Sequence, residues 1–398
     1  MLTKTFFSIL TKGLDIFYTP AYKEAFKITM LTIKEARSRG EILQFIRFPL
    51  RLYKDDPYYS PQLTRDLLVD FSEKNPFFRF SKVRFFLLYS GKEIAGRVVS
   101  IVNSRHLEKH NDGVGFFGFY ESVDDTAVAA RLLEVVQEEL RGSGLKTIRG
   151  PMNFSTNEEC GFLIDGFDTP PMLMTPHNPP YYRTLMELCG MLKAKDLYAY
   201  LKEVPPDGPP EKVNRVANIA QRRGITVRPI NMKDFKNELL RFKDIYNSSW
   251  AENWGFVPFD DAEFEFMSGK LKQIVVPELV LIAQAGEEVI GLLGLFPDFN
   301  FVLRKMRGKL NPITLIKALY YSRKIKGVRL MLFGVKPQYR FKGVDALMTR
   351  EIFRRAWEGG YKLSEFSWIL EDNEPIKKII ELVEGRLYKT YRIYERPI

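Results

Sequence analysis

The feature that most restricts how this 398-residue chain folds is an internal duplication. Phe85-Phe86-Leu87-Leu88-Tyr89-Ser90-Gly91-Lys92-Glu93-Ile94-Ala95-Gly96 lies over Val280-Leu281-Ile282-Ala283-Gln284-Ala285-Gly286-Glu287-Glu288-Val289-Ile290-Gly291. Both read as β-hairpins with a charged, glycine-containing turn. Gly91 and Gly286 stand 195 residues apart, and the same spacing relates Asn178-Pro179-Pro180 with Gly190 to Asn373-Glu374-Pro375 with Gly385. Two separated blocks at one spacing indicate a duplicated unit.

The spacing breaks in two places. The helix expected from Asp125 to Gly144 matches Val344 to Gly360 at 216 residues, so the second copy gains a segment before this helix, about Asn300 to Lys326. The first copy gains one after it, Gly150 to His177, rich in Pro and Gly; a long segment of that kind inside a compact unit is expected to line a functional cleft or cover it. Between the copies, Pro205-Pro206-Asp207-Gly208-Pro209-Pro210 can continue neither a helix nor a central strand and reads as a semi-rigid linker. The expected divisions are an N-terminal extension (1–29), a first lobe (30–204), the linker (205–211) and a second lobe (212–398). Each lobe reads as helix, hairpin, strand, helix, strand, helix, strand, a mixed α/β unit.

Cys160 and Cys189 are too few for a disulfide framework and suit a reducing, cytoplasmic compartment. The net charge of +11 calls for anionic partners, whether a phosphorylated cofactor, tRNA or a lipid surface. No run is apolar over the roughly 18 residues that span a bilayer; Val289 to Leu303 is interrupted by Asp298 and Asn300. Met1 to Phe26 mixes apolar residues with Lys4, Lys12 and Asp15, which fits either a helix lying on a membrane, for peripheral contact at the inner face, or an ordinary extension ahead of Met30.

In the second lobe an apolar strand, Leu330 to Phe333, runs through Gly334-Val335-Lys336 into Arg340-Phe341-Lys342-Gly343-Val344-Asp345-Ala346 and an amphipathic helix to Trp357. A strand ending in a turn with spare N–H groups at a helix N-terminus is a phosphate site, and Lys336, Arg340 and Lys342 add positive charge. The turn resembles the acyl-CoA signature of the GNAT acetyltransferase superfamily: an Arg or Gln, two residues, Gly, one residue, then Gly or Ala. Arg340 and Gly343 match it; Asp345 holds the last place, with Ala346 next to it. The overall pattern from Met30 to Ile398 resembles two GNAT-like lobes in tandem, as in an uncharacterised bacterial family. That resemblance implies an acyl-CoA held by Val335, Lys336, Arg340, Phe341, Lys342, Gly343, Val344 and Ala346, with Asn373 beyond the following strand. The matching strand end of the first lobe, Glu121 to Asp125, has three acids and no glycine, so that lobe is expected to be structural or to bind the acceptor.

Acyl transfer to an amine needs a base for the amine, donors for the oxyanion and a proton for the thiolate. The resemblance implies a backbone N–H near Val335 for the thioester oxygen, an acid for the base and a tyrosine for the proton. Glu371 and Asp372, where the strand Glu365 to Leu370 ends, are the base candidates; Asp372 or Asn373 equally suits a cap for the helix opening at Glu374-Pro375. The family's tyrosine position holds Ile379, which leaves Tyr388 as the candidate acid, or as a strand aromatic packed on its neighbours. His106 and His110 are one helical turn apart, but a zinc site needs a third ligand; their flanks read as a solvated loop, and no metal is expected.

The resemblance thus implies an N-acyltransferase that uses acyl-CoA as co-substrate and a small-molecule or lipid amine as acceptor, bacterial ceramide-type N-acylation being one example. The alternatives are an aminoacyltransferase drawing on charged tRNA and a non-catalytic acyl- or lipid-binding protein.

Overall fold

The computed structural model describes Leu31 to Ile398; the reading of Met1 to Phe26 as a membrane-lying helix falls outside the described residues. The first copy contributes β1 (Leu31–Glu35), β2 (Ser81–Ser90), β3 (Glu93–Asn103), β4 (Val114–Ser122), β5 (Thr147–Gly150), β6 (Met152–Asn153), β7 (Glu159–Cys160), β8 (Phe162–Asp165) and β9 (Leu192–Glu203). The second contributes β10 (Ile225–Pro229), β11 (Val280–Ala285), β12 (Glu288–Pro297), β13 (Gly327–Val335), β14 (Leu363–Leu370) and β15 (Arg386–Pro397). The helices are α1 (Arg39–Leu52), α2 (Thr64–Asp70), α3 (Ser104–His110), α4 (Thr126–Gly142), α5 (Tyr181–Leu188), α6 (Glu211–Arg222), α7 (Phe235–Ser249), α8 (Asp261–Leu271), α9 (Asn300–Met306), α10 (Pro312–Ser322), α11 (Val344–Glu358) and α12 (Glu374–Leu382).

Twelve strands form one sheet in the order β1-β2-β3-β4-β5-β15-β9-β14-β13-β12-β11-β10, with β8 pairing β15 off that path. The order is the same read from either end once the copies are equated, so the duplication seen in sequence is a pseudo-twofold arrangement of strands. The two expected hairpins are present as β2–β3 and β11–β12. Asp125 caps α4 by accepting from the Ala127 and Val128 N–H groups, as an acid at that place should.

The last strand of each copy crosses to the other. β9 pairs antiparallel with β14 of the second copy, β15 pairs with β5 of the first, and β9 and β15 pair with each other from Leu192 opposite Glu395 to Leu201 opposite Arg386. The expected element run of each lobe lacks β1 and β10. Both are five-residue strands at the outer edges of the sheet, and Pro229 ends β10 where an edge tolerates a missing donor. The expected solvated loop at His106 is α3 instead: the His106 ring is buried, packs edge-on to Phe116 and faces Asp112 at 3.2 Å. Burial drives its pKa down to about 4.

Because each copy's sheet is completed by the other's final strand, neither should fold alone. Residues 31–204 and 205–398, produced separately, are expected to lack a cooperative thermal transition, and to regain one and co-purify when produced together. A cooperative melt of either half by itself would contradict this.

Candidate active site

In the second copy, β13 and β14 run parallel only from Gly327 to Leu330 against Leu363 to Phe366, and then part. A cavity of about 230 Å³ occupies the resulting wedge. Its walls are mostly apolar: Met331, Leu332, Trp368 and Leu370 from the parting strands, Phe242, Tyr246 and Trp250 from and beside α7, Phe264 and Leu271 from α8. The first copy supplies Thr156, Asn157, Glu158, Cys160 and Met174, all from the Pro/Gly-rich insertion. That segment is pinned across the copies: Thr156 donates to the Gly255 carbonyl at 2.9 Å, and Tyr246 donates to Asn157 Oδ1 at 2.8 Å.

The equivalent wedge in the first copy is narrower and more polar. β4 and β5 pair from Val114 to Phe116, but beyond them the chain at Met152 presses on β4 so closely that a Cβ on Gly118 would lie 1.8 Å from the Met152 carbonyl oxygen. Asn153 Oδ1 accepts the Phe119 N–H at 2.7 Å, bridging the strands across part of the gap.

Two groups make the open cavity chemically distinctive. Glu158 lines it, and its carboxylate has no hydrogen-bond or ion-pair partner among the described residues; burial, opposed by Lys270 and aided by Asp70, Glu159 and Glu263, pushes its pKa up to about 8. The adjacent Glu159, by contrast, accepts from Gln62 at 3.0 Å and from Asn153 at 3.5 Å. Trp368 Nε1 is buried without a partner, and a buried indole N–H normally finds an acceptor.

The polar floor is a fully satisfied cluster. Arg329 is 3% exposed; it donates to Ser367 Oγ at 2.7 Å and to the Leu173 and Met174 carbonyls at 2.6 and 3.0 Å, faces Glu365 at 3.4 Å and lies 4.8 Å over the Trp368 ring. Tyr388 donates to Glu365, and burial raises its pKa well above the usual phenol range. Lys389 donates to the Gly166 and Thr169 carbonyls at 2.5 and 2.8 Å, and burial lowers its pKa to about 8.

The residues singled out in sequence fall into three groups. Val335 pairs with Gly291 at the end of β13, and the chain beyond it forms the expected turn: Phe341 and Gly343 have φ of +62° and +81°, and no side chain caps the first N–H groups of α11. Lys336 is engaged with Asp244 at 3.1 Å and Glu288 at 3.4 Å, whereas Arg340 and Lys342 are exposed, Arg340 reaching the Ser249 carbonyl at 3.1 Å. Val344 is buried, Ala346 half-buried, and Asp345 stands in the helix's first turn. Glu371 and Asp372 pair with Lys193 at 2.5 Å and Lys195 at 2.8 Å on β9, and Lys195 holds the Asp372 carboxyl below its usual range. Asn373 caps α12, accepting from Ile376 N–H at 3.4 Å. Tyr388 shares no partner with Glu371 or Asp372; it belongs to the Arg329–Glu365 cluster.

Glu121, read in sequence only as an acid at a helix entry, is enclosed. It accepts from Tyr53 at 2.5 Å and Tyr182 at 2.7 Å, with Arg97 at 3.6 Å, and burial raises its pKa. It borders a second, polar cavity of about 110 Å³ with His177, which bonds Asp56 at 2.8 Å. Among the described residues no cluster of three or more His, Cys, Asp or Glu could hold a metal ion, and no helix is long and apolar enough to cross a membrane.

Comparison with known proteins places this geometry. The sequence is 32% identical over 369 residues to Protein YghO of Escherichia coli K12, covering 91% of this chain and 94% of that one. It is 33% identical over 384 residues to a protein named Bacterial ceramide synthase from Caulobacter vibrioides, covering 92% of this chain and 98% of that one. The chain belongs to the family of these two proteins. No protein-family model matches it. Among solved structures, a tandem GNAT protein from the clavulanic acid biosynthesis pathway superposes with a TM-score of 0.56 at 10% identity, over 92% of this chain and 98% of that one. A GCN5-related N-acetyltransferase from Sphaerobacter thermophilus gives 0.52 at 12%, over 92% and 95%. The fold is therefore that of a tandem GNAT protein, and the open wedge belongs to its second GNAT unit.

The cluster beneath the cavity makes a stability prediction. Arg329→Met strands Glu365 in a site with no exposure, and removing one partner of such a pair costs about 3–5 kcal/mol. Urea denaturation should show that loss, and adding Glu365→Gln should recover part of it. A single variant within about 1 kcal/mol of the parent would show that the pair is not what holds the floor.

Proposed function

We propose that this tandem GNAT protein is an N-acyltransferase that joins a long acyl chain, delivered as acyl-CoA, to a long-chain amine. What carries the proposal is the apolar cavity in the open wedge, with an uncompensated carboxyl and an orphaned N–H on its wall. The turn ahead of α11 suits the CoA phosphates: it leaves backbone N–H groups uncapped, holds Gly343 in a left-handed conformation and exposes Arg340 and Lys342. From Met331, at the cavity, to Lys336 the strand rises about 17 Å, a span for an extended pantetheine arm between phosphate turn and cavity.

In this reading Glu158 takes the proton from the acceptor's ammonium, the freed nitrogen attacks the thioester carbonyl, the C–N bond forms and the C–S bond breaks with the electron pair leaving on sulfur, and the second proton that the nitrogen sheds to become an amide goes to the departing thiolate. Trp368 Nε1–H, having no internal acceptor, is available to the carbonyl oxygen as charge develops there. A carboxyl near 8 suits the basicity of an amine better than a surface carboxylate does. Glu371 and Asp372 are instead tied to Lys193 and Lys195. The apolar walls favour fatty chains over acetyl, and the name of the Caulobacter relative supports the same substrate class: ceramide is a fatty acid joined by an amide to a long-chain amino alcohol.

Since Glu158 acts as a base, kcat/KM should rise with pH and level off above about 8. Glu158→Gln should abolish that limb and lower the rate by about 10²–10⁴-fold while acyl-CoA still binds. A variant with the parent's rate and pH profile would remove Glu158 from the reaction. Independently, calorimetric titration with palmitoyl-CoA should give binding that Arg340→Ala/Lys342→Ala weakens at least about tenfold, consistent with the loss of two charge-assisted contacts, without moving Tm; unchanged affinity would take the phosphates away from this turn.

A further inference from the structure

The segment that the second copy gains before its main helix is not used by the reaction described above, yet it presents an unusual surface. α10 turns Thr314, Ala318 and Tyr321 inward, where Ala318 and Tyr321 pack on Val302, Met306 and Ile325. Its outward arc is apolar: Ile313 and Ile316 are 69% and 68% exposed, and Leu315, Leu319 and Tyr320 are each more than half exposed. On a helical wheel these residues span about 160°, so the water-facing side is more apolar than the core-facing one, the reverse of an ordinary surface helix. A contiguous exposed patch of this kind marks an interaction site.

Charge identifies its occupant. From Phe299 to Lys326 the chain carries eight Lys and Arg residues and no Asp or Glu. Among the described residues, Lys305, Arg307, Lys309, Lys317, Arg323 and Lys324 enter no ion pair, so the apolar arc is framed by uncompensated cations. Beside it an open groove of about 810 Å³ separates this segment from Tyr53, Asp56 and Tyr59 of the first copy, with Arg304, Arg307 and Lys309 on its near wall. Exposed Ile, Leu and Tyr ringed by Lys and Arg is the pattern of a helix that lies in the headgroup region of a bilayer, its apolar face among the acyl chains and its cations on lipid phosphates. The Asn311 capping box, with Asn311 Oδ1 accepting Thr314 N–H at 3.0 Å, fixes the helix before any lipid arrives.

We infer that α10 docks the protein on an anionic phospholipid bilayer, with Ile313, Ile316 and Leu319 inserted and the flanking cations on the headgroups. This stands apart from the acyl-transfer reading, since it concerns a different surface and is read out without substrate.

The test is flotation of the full chain with vesicles of phosphatidylcholine alone or with about a third phosphatidylglycerol. The parent should float with the anionic vesicles, more weakly as salt is raised, and Ile313→Glu/Ile316→Glu/Leu319→Glu should bind at least about tenfold less with its thermal melt unchanged. Flotation of that variant equal to the parent's would overturn the inference. As a second measurement, Ile316→Cys can be labelled selectively with an environment-sensitive dye, because Cys160 and Cys189 are buried. Emission should shift to the blue on adding anionic vesicles. No shift, or a dye already shielded in vesicle-free buffer because a second copy or another part of the chain covers the helix, would equally overturn it.

Discussion

The pairing of β9 with β15 is the interaction on which the rest of the structure depends. Each is the last strand of its own copy, and each completes the other copy's sheet, so the hydrogen bonds between Leu192–Leu201 and Arg386–Glu395 lie at the centre of one continuous sheet. Arg392 reinforces the pairing from the second copy, gripping Asp196 of the first at 2.7 and 2.9 Å. One consequence is that hydrophobic packing ignores the sequence boundary: Leu197 and Ala199 pack in one cluster with Tyr391 and Ile393, together with Phe85, Val99 and Phe116 of the first copy. Another is that the Pro/Gly-rich insertion of the first copy, tied to β15 through β8, is delivered to the wall of the second copy's wedge.

Duplication followed by this exchange accounts for the asymmetry of the two units. Both inherit parallel strands that part, but the gap of the first copy holds a smaller, polar cavity of about 110 Å³ and that of the second a larger, apolar one of about 230 Å³. In the first copy the gap is partly occupied by backbone at Met152 and by the Asn153 side chain, and glycine at 118 is what allows so close an approach. Glu121, at the end of the same strand, has become an anchor for Tyr53 and Tyr182 rather than a free carboxylate. In the second copy the insertion that narrows the first gap becomes a wall. One segment thus constricts one cavity and shapes the other.

Much of this was legible in the sequence because it rests on local chemistry. The hairpins announce themselves through Gly91 and Gly286, the helix entries through Asp125 and Gly343, and the left-handed turn ahead of α11 through Gly343; each depends on backbone preferences within a few residues. The edge strands β1 and β10 were not legible, since five residues with one buried face carry too little periodicity. The exchange of β9 and β15 was not legible either: nothing in a strand's own sequence says which of two homologous sheets it will join. The site suffered most from this. Glu371 and Asp372 occupy the right end of a strand, but the lysines that neutralise them, Lys193 and Lys195, come from the crossing strand. Glu158 lay inside an insertion already expected to line a cleft, but its neighbours Thr156, Asn157 and Glu159 are polar, so nothing in the local sequence set it apart from an ordinary surface acid.

How the protein distributes its buried acids bears on which of them has a task. Glu365 is buried against Arg329, Ser367 and Tyr388; Glu121 has two phenols and Arg97; Glu159 has Gln62 and Asn153. In each case the desolvation that ionisation demands is offset by donors that the fold supplies, which is the rule for buried polar groups. Glu158 departs from that rule on the wall of the largest apolar cavity among those of the wedge regions, and so does the Trp368 N–H, a donor without an acceptor in the same cavity. Other buried polar atoms among the described residues also lack partners, Ser81 Oγ and the Tyr394 hydroxyl among them; what sets Glu158 and Trp368 apart is that both line one cavity. A carboxyl waiting for a proton and an N–H waiting for an oxygen are complementary to an amine and a carbonyl, the two groups that amide formation brings together.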